Sequence, residues 1–83
     1  MSQFDKLLDR IRKLDKNMRF DELRKVLEHY GYEMHSPAGG SSHRTFRKTG
    51  CSPITIPQHE PIKQAYVELV KEVVEREADN EDN

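Results

Sequence analysis

Two stretches near the start of the chain repeat apolar side chains with the period of an α-helix. Over residues 3 to 14 the apolar positions are three or four residues apart, with charged side chains between them, which predicts an amphipathic helix. Residues 20 to 30 repeat the pattern, with Asp21 and Glu22 in the first turn and Gly31 directly after it. Acidic residues favour the start of a helix and glycine favours the left-handed cap at its end, so a second helix is predicted to stop at Gly31.

After Gly31 the period changes from helical to alternating. The alternation predicts short strands at 32 to 36, 42 to 48 and 52 to 57, separated by turns that contain glycine, serine and proline. Pro57 is expected to end the third strand because proline lacks the amide hydrogen that the next ladder bond needs. Short connections between consecutive strands predict a three-stranded antiparallel meander.

A long apolar stripe returns near the end of the chain and predicts a third helix. Its residues are Ile62, Ala65, Tyr66, Leu69, Val70, Val73 and Val74. We expect an acidic tail after it, with residues 78 to 83 disordered. The expected fold is a single α+β domain over 1 to 83, in the order α-α-β-β-β-α, with the helices on one face of the sheet.

The alternation also assigns the two faces of the predicted sheet. The residues expected to face the helices are Met34, Phe46, Ile54 and Ile56, and those expected on the open face are His35, His43, Thr45, Arg47 and Thr55. His43 and Arg47 would lie about 13 Å apart along one strand. That separation suits a chain of phosphates better than one small anion.

Composition limits the kind of protein. The chain has 83 residues, 34% apolar and 35% charged, so one domain with a small core is expected. The single cysteine, Cys51, permits no internal disulfide and fits a reducing compartment, so we expect a cytoplasmic protein. The chain has no long apolar run, so neither a membrane span nor a secretory signal is predicted. A zinc site from Cys51, His43 and His59 is conceivable, but scattered single ligands are a weak signal.

The charges are nearly balanced overall but are segregated along the chain. Fourteen Lys+Arg and fifteen Asp+Glu give a net charge of -1, yet residues 75 to 83 hold five acids and one arginine, and residues 34 to 59 hold no acid. The basic and histidine residues inside this acid-free stretch are His35, His43, Arg44, Arg47, Lys48 and His59. An anionic ligand is therefore expected to bind there.

Two histidines in this stretch are candidates for chemistry. His43 follows a glycine-serine turn, Gly39 to Ser42, whose backbone amides can come close to a phosphate. Cleavage of RNA needs a base for the 2′-hydroxyl proton and an acid for the leaving 5′-oxygen, and histidine titrates near neutral pH. His59 lies where a strand ends and a helix is about to begin. The alternatives are a solvated hairpin histidine for His43 and a helix-capping or exposed side chain for His59.

Lys63 and Tyr66 near the start of the last predicted helix are weaker candidates. Lys63 could bind a phosphate with help from the helix dipole, or it could be a solvated surface residue. Tyr66 could stack on a base, although its place on the apolar stripe is more typical of a core residue.

Four motifs, taken in order, resemble the HicA toxin family over about residues 19 to 74. They are a helix ending in Gly31-Tyr32, the segment Gly40-Ser41-Ser42-His43-Arg44-Thr45-Phe46, an aliphatic strand ending Pro57-Gln58-His59, and a closing helix. The resemblance implies a double-stranded-RNA-binding-domain-like fold. It also implies a metal-independent endoribonuclease that cleaves mRNA, the toxin of a type II toxin-antitoxin system, covered by a HicB-like antitoxin.

The same resemblance implies roles for individual residues. The catalytic histidine of the family corresponds to His43, and its second common histidine to His59, a candidate second proton shuttle. Contacts to the RNA are then expected from Gly40, Ser41, Ser42, Arg44, Arg47, Lys48 and Lys63. No cofactor, no metal, no membrane and no DNA contact by this chain alone are expected.

The chain departs from the family pattern at both ends. The helix at 3 to 14 lies outside the family core, and residues 75 to 83 add the end of the last helix and an acidic tail. The tail could keep a small protein soluble or could compete with RNA for the basic face, and we favour solubility. A non-catalytic RNA-binding or protein-interaction module on the same fold is the alternative function.

Overall fold

The computed structural model describes residues 3–35 and 43–81 and has the predicted element order. The elements are α1 (Gln3–Arg12), α2 (Phe20–His29), β1 (Glu33–His35), β2 (His43–Arg47), β3 (Ile54–Pro57) and α3 (Gln64–Glu81). The α+β class, with three helices and a three-stranded antiparallel sheet in the order α-α-β-β-β-α, is therefore confirmed. No helix in the described ranges is both long and apolar enough to cross a bilayer.

Both N-terminal helices end in a left-handed residue. α2 ends as predicted, because Gly31 has φ 95° and the Tyr32 amide donates to the Leu27 carbonyl at 3.0 Å. α1 ends two residues earlier than predicted. Leu14 takes φ 55° there, and the Asp15 amide donates to the Arg10 carbonyl at 3.0 Å. The apolar period thus continued past the point where the backbone leaves the helix.

The sheet has the order β1-β2-β3, and every neighbouring pair is antiparallel. The strands are shorter than predicted by one to two residues at their ends. In the register, Phe46 lies opposite both Met34 and Ile54. Residues 36 to 42, which include the whole predicted first turn and the predicted ends of the two strands beside it, lie outside the described residues.

One face of the sheet is buried and the other is open, as the alternation predicted. Phe46 and Ile56 are fully buried, and Ile54 is almost so. On the opposite face the Thr45 and Thr55 hydroxyl oxygens are 3.2 Å apart across the two strands. A single layer of helices therefore covers the sheet, and polar side chains cover its other side.

The core-facing stripe of α3 differs from the predicted one. Val67 and Val70 are fully buried, whereas Ala65 and Leu69, both expected in the stripe, are exposed. Ile62 is buried but precedes the helix. The helix also extends to Glu81, so residues 78 to 81, expected to be disordered, are helical.

The N-terminal helix shares the core of the other elements. Ile11 of α1 is fully buried in the same apolar cluster as Leu23, Phe46 and Val70. The Arg10 guanidinium fixes the link between α1 and α2, since it donates to the Asp15 carboxylate at 2.9 Å. It also donates to the Asn17 carbonyl at 3.1 Å and to the Glu22 carboxylate.

Candidate functional site

A cleft of about 490 Å³ opens where β2 begins, β3 ends and α3 begins. It is lined by His43, Pro57, His59, Glu60, Pro61, Lys63 and Tyr66. Both predicted catalytic histidines and the predicted lysine therefore lie in one cleft, which makes this the candidate site.

The strand register explains why the two histidines line the same cleft. His43 is the first residue of β2 and pairs with Pro57, the last residue of β3, across a hairpin centred on Gly50. Gly50 has φ 81°, a conformation that favours glycine. His59 follows Pro57 by two residues, so closure of this hairpin brings His59 to the end of the sheet that carries His43.

Three hydrogen bonds fix the segment between β3 and α3 against the link that joins α1 to α2. The Phe20 amide donates to Glu60 Oε1 at 3.3 Å, and the Ile62 amide donates to the Met18 carbonyl at 2.9 Å. The Gln64 side-chain amide donates to the Leu14 carbonyl at 2.8 Å. Two of the three partners, Met18 and Leu14, precede residue 19, where the resemblance begins, so a segment outside the family core supports this side of the cleft.

The basic and histidine side chains of the cleft are accessible to solvent. His43, His59 and Lys63 are all exposed. In the described part of the chain, neither the His59 ring nor the Lys63 ammonium makes a hydrogen bond or an ion pair. Both groups are therefore available to a ligand. An imidazole can accept or give a proton near neutral pH, and an ammonium can bind a phosphate oxygen.

Arg44 does not face the same way as the neighbouring histidine. It pairs with Ile56, so alternation directs it to the helix side of the sheet. It is half-buried, and its guanidinium donates to the His43 carbonyl at 3.1 Å. Arg44 therefore holds the backbone of the catalytic candidate and does not extend the open face.

Lys48, expected to bind phosphate, lies instead against α3. Its Nζ is 3.0 Å from the Glu77 carboxylate and 5.8 Å from the centre of the Tyr32 ring. The Lys48 and Glu77 side chains are only 27% and 16% exposed. The amine is thus paired with an acid from the far end of the chain, so a phosphate bound by Lys48 would compete with this ion pair.

Arg47 lies at the opposite end of β2 from the candidate site. It is exposed and stands directly opposite Glu33 in the register. Together with Lys48, Cys51 and others it lines a second cleft, of about 330 Å³. Glu33 and Glu60 flank the acid-free stretch of sequence, and each lines a cleft together with residues of that stretch. Acidic side chains therefore lie close to its basic residues in the folded protein.

The remaining residues near the histidine cleft include predicted and unpredicted positions. Gly40, Ser41 and Ser42, expected to form a phosphate-binding turn, lie outside the described residues. Tyr66 is half-buried and lines the histidine cleft, so it combines packing with access to a ligand. Glu60 and Pro61 were not predicted as site residues. The only signal for them was their position between a strand end and a helix start.

A second cluster of titratable groups lies at the other end of the sheet. Arg76 donates to the Tyr32 hydroxyl at 2.9 Å and lies 3.8 Å from the Cys51 sulfur. Burial raises the pKa of Tyr32 despite this contact. In the described ranges no group of three or more His, Cys, Asp or Glu side chains is placed to hold a metal ion. The conceivable zinc site from Cys51, His43 and His59 is therefore not assembled.

Comparison of this chain with known proteins gives no relatives. No protein-family model matches it, and neither a curated protein nor a solved structure is similar to it. The functional interpretation consequently depends on the geometry of the histidine cleft and on the motifs in the sequence.

Proposed function

We propose that this protein is an endoribonuclease of the HicA kind, the mRNA-cleaving toxin of a type II toxin-antitoxin system. The observation that carries the proposal is the cleft that contains His43, His59 and Lys63. Two exposed imidazoles and one ammonium beside each other are the groups that general acid-base cleavage of a phosphodiester requires.

In the proposed reaction one histidine, His43, removes the proton from a ribose 2′-hydroxyl. The 2′-oxygen then attacks the adjacent phosphorus, and the bond from phosphorus to the 5′-oxygen breaks. His59 gives a proton to the leaving 5′-oxygen, while Lys63 offsets the charge on the phosphate oxygens. The products are a 2′,3′-cyclic phosphate and a 5′-hydroxyl, and no metal or cofactor takes part.

The rest of the fold fits this proposal as a scaffold for RNA. The open face of the sheet presents small polar side chains such as Thr45 and Thr55 next to the histidine cleft. The order of elements is consistent with a double-stranded-RNA-binding-domain-like class, whose members recognise RNA largely by shape through contacts to 2′-hydroxyls and phosphates. We further propose that a HicB-like antitoxin neutralises the enzyme by covering this cleft.

The proposal is tested with two matched histidine variants. His43 and His35 are both exposed on the open face, and both pair with residues of a neighbouring strand, but only His43 lines the cleft. Loss of a general acid or base costs about 10² to 10⁴ in rate. We therefore expect His43→Ala to abolish both growth inhibition on induced expression and cleavage of mRNA by the purified protein, and His35→Ala to abolish neither.

Circular dichroism would establish that both variants are folded. Cleavage by His43→Ala at the rate of His35→Ala would refute the assignment. Coexpression with the protein encoded next to this reading frame would then test neutralisation: a HicB-like neighbour should restore growth. Failure of the intact wild-type protein to cut any RNA would favour the alternative, a non-catalytic RNA-binding or protein-interaction module.

A further inference from the structure

A smaller cleft lies directly beside the histidine cleft. It has a volume of about 280 Å³ and is lined by Asn17, Arg19, Glu60 and Pro61. Glu60 and Pro61 also line the histidine cleft. The two clefts therefore share a wall and open on either side of one short segment.

The positions of the two clefts are fixed relative to each other by hydrogen bonds. Met18 and Phe20, which flank Arg19, bond to Ile62 and Glu60 at 2.9 and 3.3 Å. The Arg10 guanidinium holds the Asn17 carbonyl at 3.1 Å. Asn17 and Arg19 are thus supported from two sides, and a ligand that spans both clefts meets a preformed surface.

Arg19 has the properties of a phosphate-binding residue. It is exposed, and in the described part of the chain its guanidinium makes no ion pair. Its backbone amide donates to Glu22 Oε1 at 2.9 Å, which fixes the main chain and leaves the side chain outside that bond. An unpaired guanidinium offers several donors in one plane and binds phosphate more specifically than an ammonium does.

Glu60 does not neutralise this arginine. Its Oε1 accepts the Phe20 amide hydrogen at 3.3 Å, and no ion pair joins Glu60 to Arg19 among the described residues. Among the described residues, the path from Lys63 to Arg19 therefore begins and ends on cations that make no ion pair, with Glu60 and Pro61 on the wall between the two clefts. Cations along a groove are typical of sites that follow a single-stranded nucleic acid backbone.

We propose that the cleft of Asn17 and Arg19 is a second RNA subsite, in which Arg19 binds a phosphate of the strand beyond the nucleotides held in the histidine cleft. This inference rests on the proposed ribonuclease function and gives the link between α1 and α2 a part in substrate binding. The ligand is single-stranded RNA, and the contact is to its backbone, so it carries no base preference.

The test uses two arginine variants and two lengths of RNA. Arg19→Gln removes the proposed contact. Arg12→Gln is the control, since Arg12 is also exposed, makes no ion pair in the described part of the chain and lines neither cleft. Both are made in the full chain carrying His43→Ala, so that RNA is bound without being cut. Affinity for a trinucleotide and for a twelve-residue RNA is measured against salt concentration.

We expect Arg19→Gln to weaken binding of the longer RNA several-fold and to reduce its log-log salt slope by about 0.7, the value for one phosphate contact in a single strand. Binding of the trinucleotide should be unchanged, and Arg19→Lys should restore most of the salt slope. Equal effects of Arg19→Gln and Arg12→Gln, or equal losses for both RNA lengths, would overturn the subsite. If the wild-type protein cuts RNA in that case, the subsite fails alone, and if it neither binds nor cuts RNA, both proposals fail.

Discussion

Replacing Lys48 by methionine tests whether this lysine stabilises the fold or binds phosphate. Methionine keeps most of the apolar stem and removes the charge that pairs with Glu77. Exposed ion pairs contribute about 0.2 to 1 kcal/mol, whereas breaking a buried pair costs about 3 to 5 kcal/mol. The Lys48 and Glu77 side chains are 27% and 16% exposed, so the pair lies between these limits. We expect Lys48→Met to lower the free energy of unfolding by about 1 to 2 kcal/mol.

The loss should be visible in thermal unfolding. For a domain of this size 1 kcal/mol changes Tm by about 4 to 8 °C, so Lys48→Met should lower Tm by roughly 5 to 15 °C. The matched control is Lys71→Met, because Lys71 pairs with Glu75 within α3 at 3.8 Å and Glu75 is 58% exposed. Such a pair contributes about 0.2 to 0.5 kcal/mol, so the control should barely shift Tm.

Two further measurements separate the structural role from RNA binding. Adding Glu77→Gln to Lys48→Met should recover part of the lost stability, because it removes a mostly buried carboxylate whose remaining partner, Arg76 Nε, is 3.9 Å away. In a His43→Ala background, Lys48→Met should leave the salt slope of RNA binding unchanged, whereas Lys63→Met should reduce it by about 0.7. A Tm equal to that of Lys71→Met, together with a reduced salt slope for Lys48→Met, would show that Lys48 binds RNA and that the contact with Glu77 is incidental.

Two other predictions concern chemistry and pH. RNA cleavage should continue in excess EDTA, because the proposed proton transfers use only histidines; activity lost in chelator and restored by magnesium would contradict this, with a magnesium-dependent nuclease as the positive control. The hydrogen bond from Arg10 and, as the next largest cause, the hydrogen bond from the Asn17 amide hold the pKa of Asp15 below its usual range. Its stabilising contribution is therefore present above about pH 4 and lost as the pH falls through the lowered pKa, so acid unfolding followed by circular dichroism should be less steep for Asp15→Asn than for wild type.

The local pattern of the chain predicted the elements where a single physical rule dominated. Gly31 ended α2 because glycine tolerates a left-handed cap. Strict alternation around Phe46 assigned the two faces of the sheet correctly. The prediction of which α3 residues face the core was partly wrong. In α3 the side-chain period alone did not distinguish Val67, which is buried, from Leu69, which is 40% exposed, because that choice depends on the direction in which the helix packs.

The part of the candidate site that was predictable from the sequence depends on the β2–β3 hairpin. His43 and His59 line the same cleft because the β2–β3 turn is centred on Gly50. The predicted strands 42 to 48 and 52 to 57 left Thr49 to Cys51 as that turn. The partners of the basic residues were not predictable in this way. The pairing of Lys48 with Glu77 joins residues far apart in the chain, and only the packing of α3 along the sheet brings them together.

The positions of the cations limit how the proposed RNA binding can work. Among the described residues, Lys48 is paired with Glu77, Arg47 lies at the other end of β2, and Lys63 and Arg19, which make no ion pair, lie beside the histidine cleft. Each phosphate contact contributes about 0.7 to the salt slope for a single strand, so two such contacts release little more than one counterion. A chain of net charge -1 also attracts RNA weakly at long range. Under the proposed function, affinity therefore comes mainly from the fit of the strand to the two adjoining clefts. Because Met18 and Phe20 anchor their common wall, the same proposal makes the N-terminal helical pair part of the site.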